Sequence, residues 1–267
     1  MQLLFIEPGP LVHQGTPHML SPPSEPAARS DAEILGELVD LQPRLYRKGA
    51  ALFRSGESLV YLHIIRQGRV KLVDLSPDGH EQIIGLRGPG DWVGLGSIGP
   101  RFHPCEGIAI EDCQAWVVRY ETLAKVGMAV PAVLQILHVA MCREMEHNRA
   151  SRAAMCLLPA DARVADFIRC SITRHDMLDS RAARFTIGLT RAEMANHLGM
   201  RLEGVSRALR RLARCGLIRF PQFGGREVEV PDVDALAEFI RRFTGPVAEP
   251  ESPKPEASLE IGNLYAR

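Results

Sequence analysis

No run of apolar residues in this chain approaches the ~18 needed to cross a bilayer as a helix, and no two of its cysteines form a Cys-x-x-Cys pair. The first absence excludes a helical membrane span. The second leaves six thiols, at 105, 113, 142, 156, 170 and 215, that fit neither a zinc site nor a disulfide framework, and they are read as reduced and mostly buried. Aromatic residues are scarce at 6%, which excludes prion-like and aromatic-girdle designs. Net charge is lacking too: 32 Lys+Arg balance 32 Asp+Glu, so only the distribution of charge can point to a partner. There is no phosphate-binding glycine loop, metal-spaced cluster or nucleophile elbow, and Asp161, Asp166 and Asp176 have no catalytic arrangement around them. No enzyme activity, metal or cofactor is expected. The opening Met1–Glu7 has no basic start and is not read as a secretory signal, so a cytoplasmic location is expected.

What is present is a 267-residue chain, 46% hydrophobic and 24% charged, of a size for two globular domains. Six prolines crowd the first thirty residues and four more follow 244, so residues 1–40 and 244–267 read as disordered extensions. Between 44 and 120, glycines at 49, 56, 68, 79, 90 and 94 separate short β-branched runs such as Val60-Tyr61-Leu62-His63-Ile64-Ile65, and Pro77-Asp78-Gly79 is a turn. An antiparallel β-roll over 41–122 is expected. After Pro131 the residues Leu134, Leu137, Met141, Met145, Asn148, Arg152 and Met155 recur at helical steps, placing a helix over 123–158 with that stripe as the seam of a homodimer. Packing against its own domain would give a similar stripe.

Residues 159–243 read as helices followed by a hairpin. Thr190-Arg191-Ala192-Glu193 is a capping box that starts a helix, Gly199 ends it, and a second helix runs from about Leu202 to Arg214 before Cys215-Gly216. That is a helix-turn-helix. Leu217-Ile218-Arg219-Phe220 and Glu227-Val228-Glu229-Val230 flank Phe223-Gly224-Gly225 as a hairpin wing. Nine arginines against two glutamates between 181 and 220 make an electrostatic footprint for DNA phosphates. Arg201, Glu203, Ser206 and Arg207 lie where a recognition helix meets base edges: an arginine forks onto guanine, a glutamate accepts from cytosine, and serine serves either base or phosphate. Glu203 and Arg207 are also spaced to pair with each other. Glu203, Ser206 and Arg207 are taken as base-reading, and Thr190, Arg191, Arg201, Arg210, Arg211 and Arg226 as phosphate-contacting. The fold class is α+β: β-roll sensor domain, dimer helix, C-terminal winged helix-turn-helix.

Glu203-Gly204-Val205-Ser206-Arg207, preceded by Leu189-Thr190-Arg191 and Asn196-His197-Leu198-Gly199, resembles the Glu-x-x-Ser-Arg recognition helix of the FNR branch of the CRP/FNR regulators. Arg47-Lys48-Gly49, Asp78-Gly79-His80-Glu81-Gln82-Ile83, Gly90-Asp91-Trp92-Val93-Gly94 and Glu121-Thr122-Leu123 extend the likeness over roughly 44–243. The resemblance implies a dimer on a two-fold operator with TTGAT-like half-sites, and recruitment of RNA polymerase, for which the loop Ile98 to His103 resembles a contact region. It also shows departures. Where the cyclic-nucleotide binders hold ribose and phosphate with Gly-Glu and Arg-Ser, this chain has Gly94-Leu95 and Cys105-Glu106, so cAMP is not expected. The oxygen-sensing members hold a cluster on four cysteines, but here no cysteine precedes 105 and Trp116 stands at the fourth position. Three modes of control remain: none beyond abundance, haem on His63, His80 or His103 with His13 or His18, or thiol chemistry at Cys215. The relatives' low-oxygen and nitrogen-oxide genes set the expected regulon.

Overall fold

The computed structural model describes residues 30–76, 78–172, 176–178, 181–221 and 226–244. The expectations for residues 1–29 (His13 and His18 included), Pro77, the wing tip Phe223-Gly224-Gly225 and the chain beyond 244 lie outside these residues.

Helix α1 (Asp31–Gly36) opens on a capping box: the Glu33 N–H donates to Ser30 Oγ at 3.3 Å and the Ser30 N–H to Glu33 Oε2 at 2.8 Å. Leu35 and Val39 are buried beside Leu62, Trp92 and Leu123. Asp31 accepts from Trp92 Nε1 at 3.1 Å and from Arg143 at 3.2 Å, strapping the helix down. This corrects the assignment of all of 1–40 to disorder, because residues 30–40 have a cap and two apolar anchors.

The expected β-roll follows as two antiparallel four-stranded sheets. One is ordered β1 (Gln42–Tyr46), β8 (Cys113–Arg119), β3 (Tyr61–Gln67), β6 (Trp92–Val93); the other β2 (Ala51–Phe53), β7 (Glu106–Ala109), β4 (Val70–Leu75), β5 (Glu81–Arg87). Cys113, Ala115 and Val117 of β8 alternate inward, as the two-residue period of a strand requires. The β3–β4 turn needs a glycine: Gly68 has φ +82°, and a Cβ there would lie 2.6 Å from the Asp112 carbonyl oxygen.

The expected single helix over 123–158 is two, α2 (Tyr120–Ala129) and α3 (Pro131–Leu157). They break at Val130 (φ −127°, ψ 93°), because proline disfavours helical geometry in the residue before it while suiting the first turn of the next helix. Val133, Leu137 and Ala140 of α3 join the roll core, and Arg87 of β5, 4% exposed, donates from Nη2 to Glu144 Oε1 at 3.0 Å and Asn148 Oδ1 at 3.3 Å.

After Leu158-Pro159 come α4 (Ala160–Ser171), β9 (Ala183–Thr186), α5 (Arg191–His197), α6 (Leu202–Arg214), β10 (Glu227–Val230) and α7 (Val233–Thr244). The expected hairpin is present in part, and its second strand has a further partner. β10 pairs along its whole length with β9, from Ala183↔Val230 to Thr186↔Glu227, while the 217–220 segment contributes one bridge, Arg219↔Glu229. Ala183 and Phe185 face the core and Arg184 and Thr186 face out. No described helix is long and apolar enough to cross a membrane.

Candidate nucleic-acid interface

Thr190 Oγ1 accepts from the Glu193 N–H at 3.1 Å, and Glu193 Oε2 accepts from the Thr190 N–H at 2.8 Å, fixing where α5 starts. Gly199, at φ +61°, lets the chain turn, and the Met200 N–H donates to Ala195 O at 2.8 Å. The turn presents α6 with one face inward: Val205, Ala208, Leu209 and Leu212 are buried against α4 and α5. The opposite face carries Arg201, Glu203, Arg207 and Arg210, all exposed, with Ser206 half-buried beside them.

The expected base-reading residues therefore share the solvent side of the first two turns of α6. Glu203 and Arg207 make no ion pair with each other or with any other described residue, so the internal pair allowed by their spacing is not formed. Of the expected phosphate residues, Thr190, Arg191, Arg201 and Arg226 are exposed, and Arg210 is exposed with its Nε donating to Ser206 O at 3.2 Å. Arg211 differs. Its guanidinium grips Asp161 of α4 through both Nε and Nη2, and that carboxylate pushes the arginine pKa up. This corrects its place in the set: Arg211 ties α6 to α4 with donors that a phosphate would otherwise occupy. The sequence shows no catalytic arrangement around Asp161, and the fold gives it this structural pair instead. Its partner, fifty residues on, left no local signal in the sequence.

The seam residues divide as well. Met141, Met145, Asn148 and Arg152 are exposed, and Leu134 and Met155 half-buried. Leu134 leans on Gly127, where an added Cβ would sit 2.8 Å from Leu134 Cδ2. Leu137, 8% exposed, belongs to the roll core, and its assignment to the seam is corrected: both faces of α3 are apolar here, and position 137 turns toward Leu123 and Val133. Asn148 is held from behind by Arg87.

In the roll, Leu95 is buried in the core and Glu106 half-buried on β7. The Phe53 ring stacks on His103 at 3.9 Å and leaves Gly107 no room for a side chain, filling the roll interior. His103 Nδ1 lies 2.7 Å from Ser97 Oγ, and His63 Nε2 lies 3.0 Å from Tyr46 Oη. His80 is exposed, 3.6 Å from Asp78. The cysteines depart from expectation: Cys113 is buried and Cys105 half-buried, burial pushing both thiols up to about 11, but Cys142, Cys156, Cys170 and Cys215 are exposed. Cys142, Cys156 and Cys215 sit on outer faces and ends of helices, where the packing argument for burial does not apply, whereas the Cys170 sulfur lies 3.8 Å from Asp166 Oδ1 beside a cavity, and burial pushes its pKa up.

The sequence matches the family model of a cyclic nucleotide-binding domain over 43–129 and that of a Crp-like helix-turn-helix domain over 162–239. It is 30% identical to the transcriptional regulatory protein btr of Bordetella pertussis, over 84% of this chain and 90% of that one. It is 29% identical to the fumarate and nitrate reduction regulatory protein of Escherichia coli, over 72% and 76%. The fold is similar to that of FixK2 from Bradyrhizobium japonicum, with a TM-score of 0.64 and 25% identity over 74% of this chain and 96% of that one. With a roll, a long helix and a capped helix-turn-helix presenting an arginine-rich face, the chain belongs to the CRP/FNR family of transcriptional regulators.

Proposed function

We propose that the protein is a cytoplasmic homodimer that reads a palindromic, FNR-like operator and recruits RNA polymerase there, with no catalytic step. The observation that carries this reading is the outer face of α6: Glu203 and Arg207 stand exposed and unpaired at its N-terminal end while the inner face is packed. An unpaired arginine there can fork onto guanine O6 and N7, and Glu203 can accept from a cytosine amine. Ser206 lies between them, and Thr190, Arg191, Arg201, Arg210 and Arg226 supply phosphate contacts. The two-fold axis runs beside Met141, Met145 and Arg152 of α3. Relatives named for fumarate and nitrate reduction and for anaerobic regulation support a role at low-oxygen or nitrogen-oxide genes.

Activity without a small-molecule effector is part of the proposal. Leu95 offers no acceptor for a ribose hydroxyl, Glu106 opposes a phosphate, and Phe53 with His103 occupies the roll interior. His63 and His103 are already hydrogen-bonded, which disfavours them as haem ligands. A thiol switch is the second reading, favoured by the exposure of Cys215 at the end of α6. A gel shift on an FNR-type duplex against a scrambled one, with and without thiol oxidant, tests both. Equal retention of the two duplexes would remove the first reading, and indifference to oxidant would remove the second.

A further inference from the structure

The helix-turn-helix is attached to the roll as well as to α3, and the second attachment has a particular form. β5 is the outer strand of its sheet, so its far edge has backbone groups to satisfy. Asn196 of α5 satisfies them as a neighbouring strand would: its Oδ1 accepts from the Ile83 N–H at 2.7 Å, and its Nδ2 donates to Glu81 O at 2.7 Å. His197 Nδ1–H donates to the Ile83 carbonyl at 3.0 Å, and Gln82 Nε2 to the Asn196 carbonyl at 2.9 Å. Lys71 of β4 reaches the capping box itself, 2.6 Å from Glu193 Oε1. Arg69, just before β4, donates to the carbonyls of Ser171 and Thr186.

The other route from α3 to the reading helix is the joint at Leu158 (φ −86°, ψ 137°) and Pro159 (φ −65°, ψ 163°), two extended residues between helices. Beside that joint a cavity of about 810 Å³ opens between β5, α3, α4 and the helix-turn-helix, lined by Arg87, Glu144, His147, Asp166 and His197. Packing does not fill this space, so the joint alone leaves α4 a direction in which to swing. The α5–β5 contact closes it.

We infer that Lys71 and Asn196, with His197 and Arg69, are positioning residues that set operator spacing. They hold each reading head at a fixed angle to the dimer helix, so only one separation of half-sites suits both heads at once. The inference rests on the dimeric reading above. In a two-fold complex the half-sites lie about one turn, 10–10.5 base pairs, apart, and each added base pair moves a half-site by about 3.4 Å and about 35° around the axis. A clamped pair of heads cannot follow that displacement. A hinged pair can.

The test is the Lys71→Ala/Asn196→Ala double variant, titrated by fluorescence anisotropy on one palindrome and on versions with the centre lengthened or shortened by one base pair. The wild type should prefer its best spacing by about tenfold or more, and the double variant should bind the three duplexes within about threefold of one another. Ranking of base changes within a half-site should stay as in the wild type, a separation that general loss of structure would not produce. Lys71→Arg, which keeps the pair with Glu193, should retain the spacing preference. Lys71→Gln alone, should the double variant fail to fold, should show a partial loss. A folded double variant with the wild-type spacing ranking overturns the inference, and so does a Lys71→Gln variant that keeps that ranking in full. A wild type that binds the three spacings alike while still ranking base changes within a half-site also overturns the inference, whereas one that ranks no base change overturns the proposed function instead.

Discussion

Arg211 and His63 show what a single side chain contributes once its neighbours are known. Read by charge alone, Arg211 is one of nine arginines gathered for phosphate; in the fold it is bound to Asp161. Asp161→Ala should therefore lower the melting temperature of the protein without DNA, by a modest step because water screens so exposed a pair. Unchanged melting would return Arg211 to the phosphate set. His63 is buried, and burial, helped by His103 and Arg44, pushes its pKa from the usual histidine range to about 3. A folded-state pKa below the unfolded one means the contribution is complete above about 6.5 and is lost as pH falls toward 3, because the unfolded chain takes up the proton first. Thermal melts between pH 7 and 4 should show falling stability, at up to ~1.4 kcal/mol per pH unit from this residue, with a shallower fall in His63→Gln. A variant with the wild-type slope would place the proton uptake elsewhere. Charge and spacing made Glu203 and Arg207 legible in the sequence, but partners fifty residues apart leave no such trace.

Elements were legible where local chemistry determines them. The capping box at Thr190, the left-handed glycines at 199 and 216 and the apolar period of α6 act within a few residues, and they place α5 and α6 correctly. The strand β9 was missed because four residues with two inward side chains are too short a period to stand out, and its partner β10 lies over forty residues on. Helix α1 was overlooked inside a proline-rich region despite its Ser-x-x-Glu signature. Leu35 is fully buried, so Leu35→Ala should cost ~2–5 kcal/mol in urea unfolding; a loss below ~0.5 kcal/mol would mean that residues 30–40 are not held on the roll. The face of α3 could not be assigned from periodicity, which shows an apolar stripe without showing what covers it. With Leu137 assigned inward, the dimer test falls on exposed Met141 and Met145. Changing both to Asp should bury like charges across the axis and give monomers in sedimentation at low micromolar concentration, with operator binding lost. A dimer that persists would move the seam to another face of α3.

At the scale of the whole molecule, the roll, the long helix and the reading unit form one connected path from the sheet edge at β5 through α5 to the outer face of α6. Neither domain reveals that path by itself, since Lys71, Asn196 and His197 have unremarkable spacing in the sequence and meet only when the domains fold against each other. The central claim is that α6 reads bases in two symmetric half-sites. The most direct measurement is an anisotropy titration, at two salt concentrations, of the wild type and Arg207→Ala on an FNR-type palindrome and on duplexes with the half-site guanine replaced in one half or in both. For the wild type each replacement should weaken binding by about tenfold, within the ~1–3 kcal/mol of a bidentate arginine–guanine contact, and Arg207→Ala should bind all three duplexes alike. Arg210→Ala should weaken every duplex equally and reduce the salt slope by about one per protomer. An Arg207→Ala protein that keeps the wild-type ranking of the three duplexes would contradict the account.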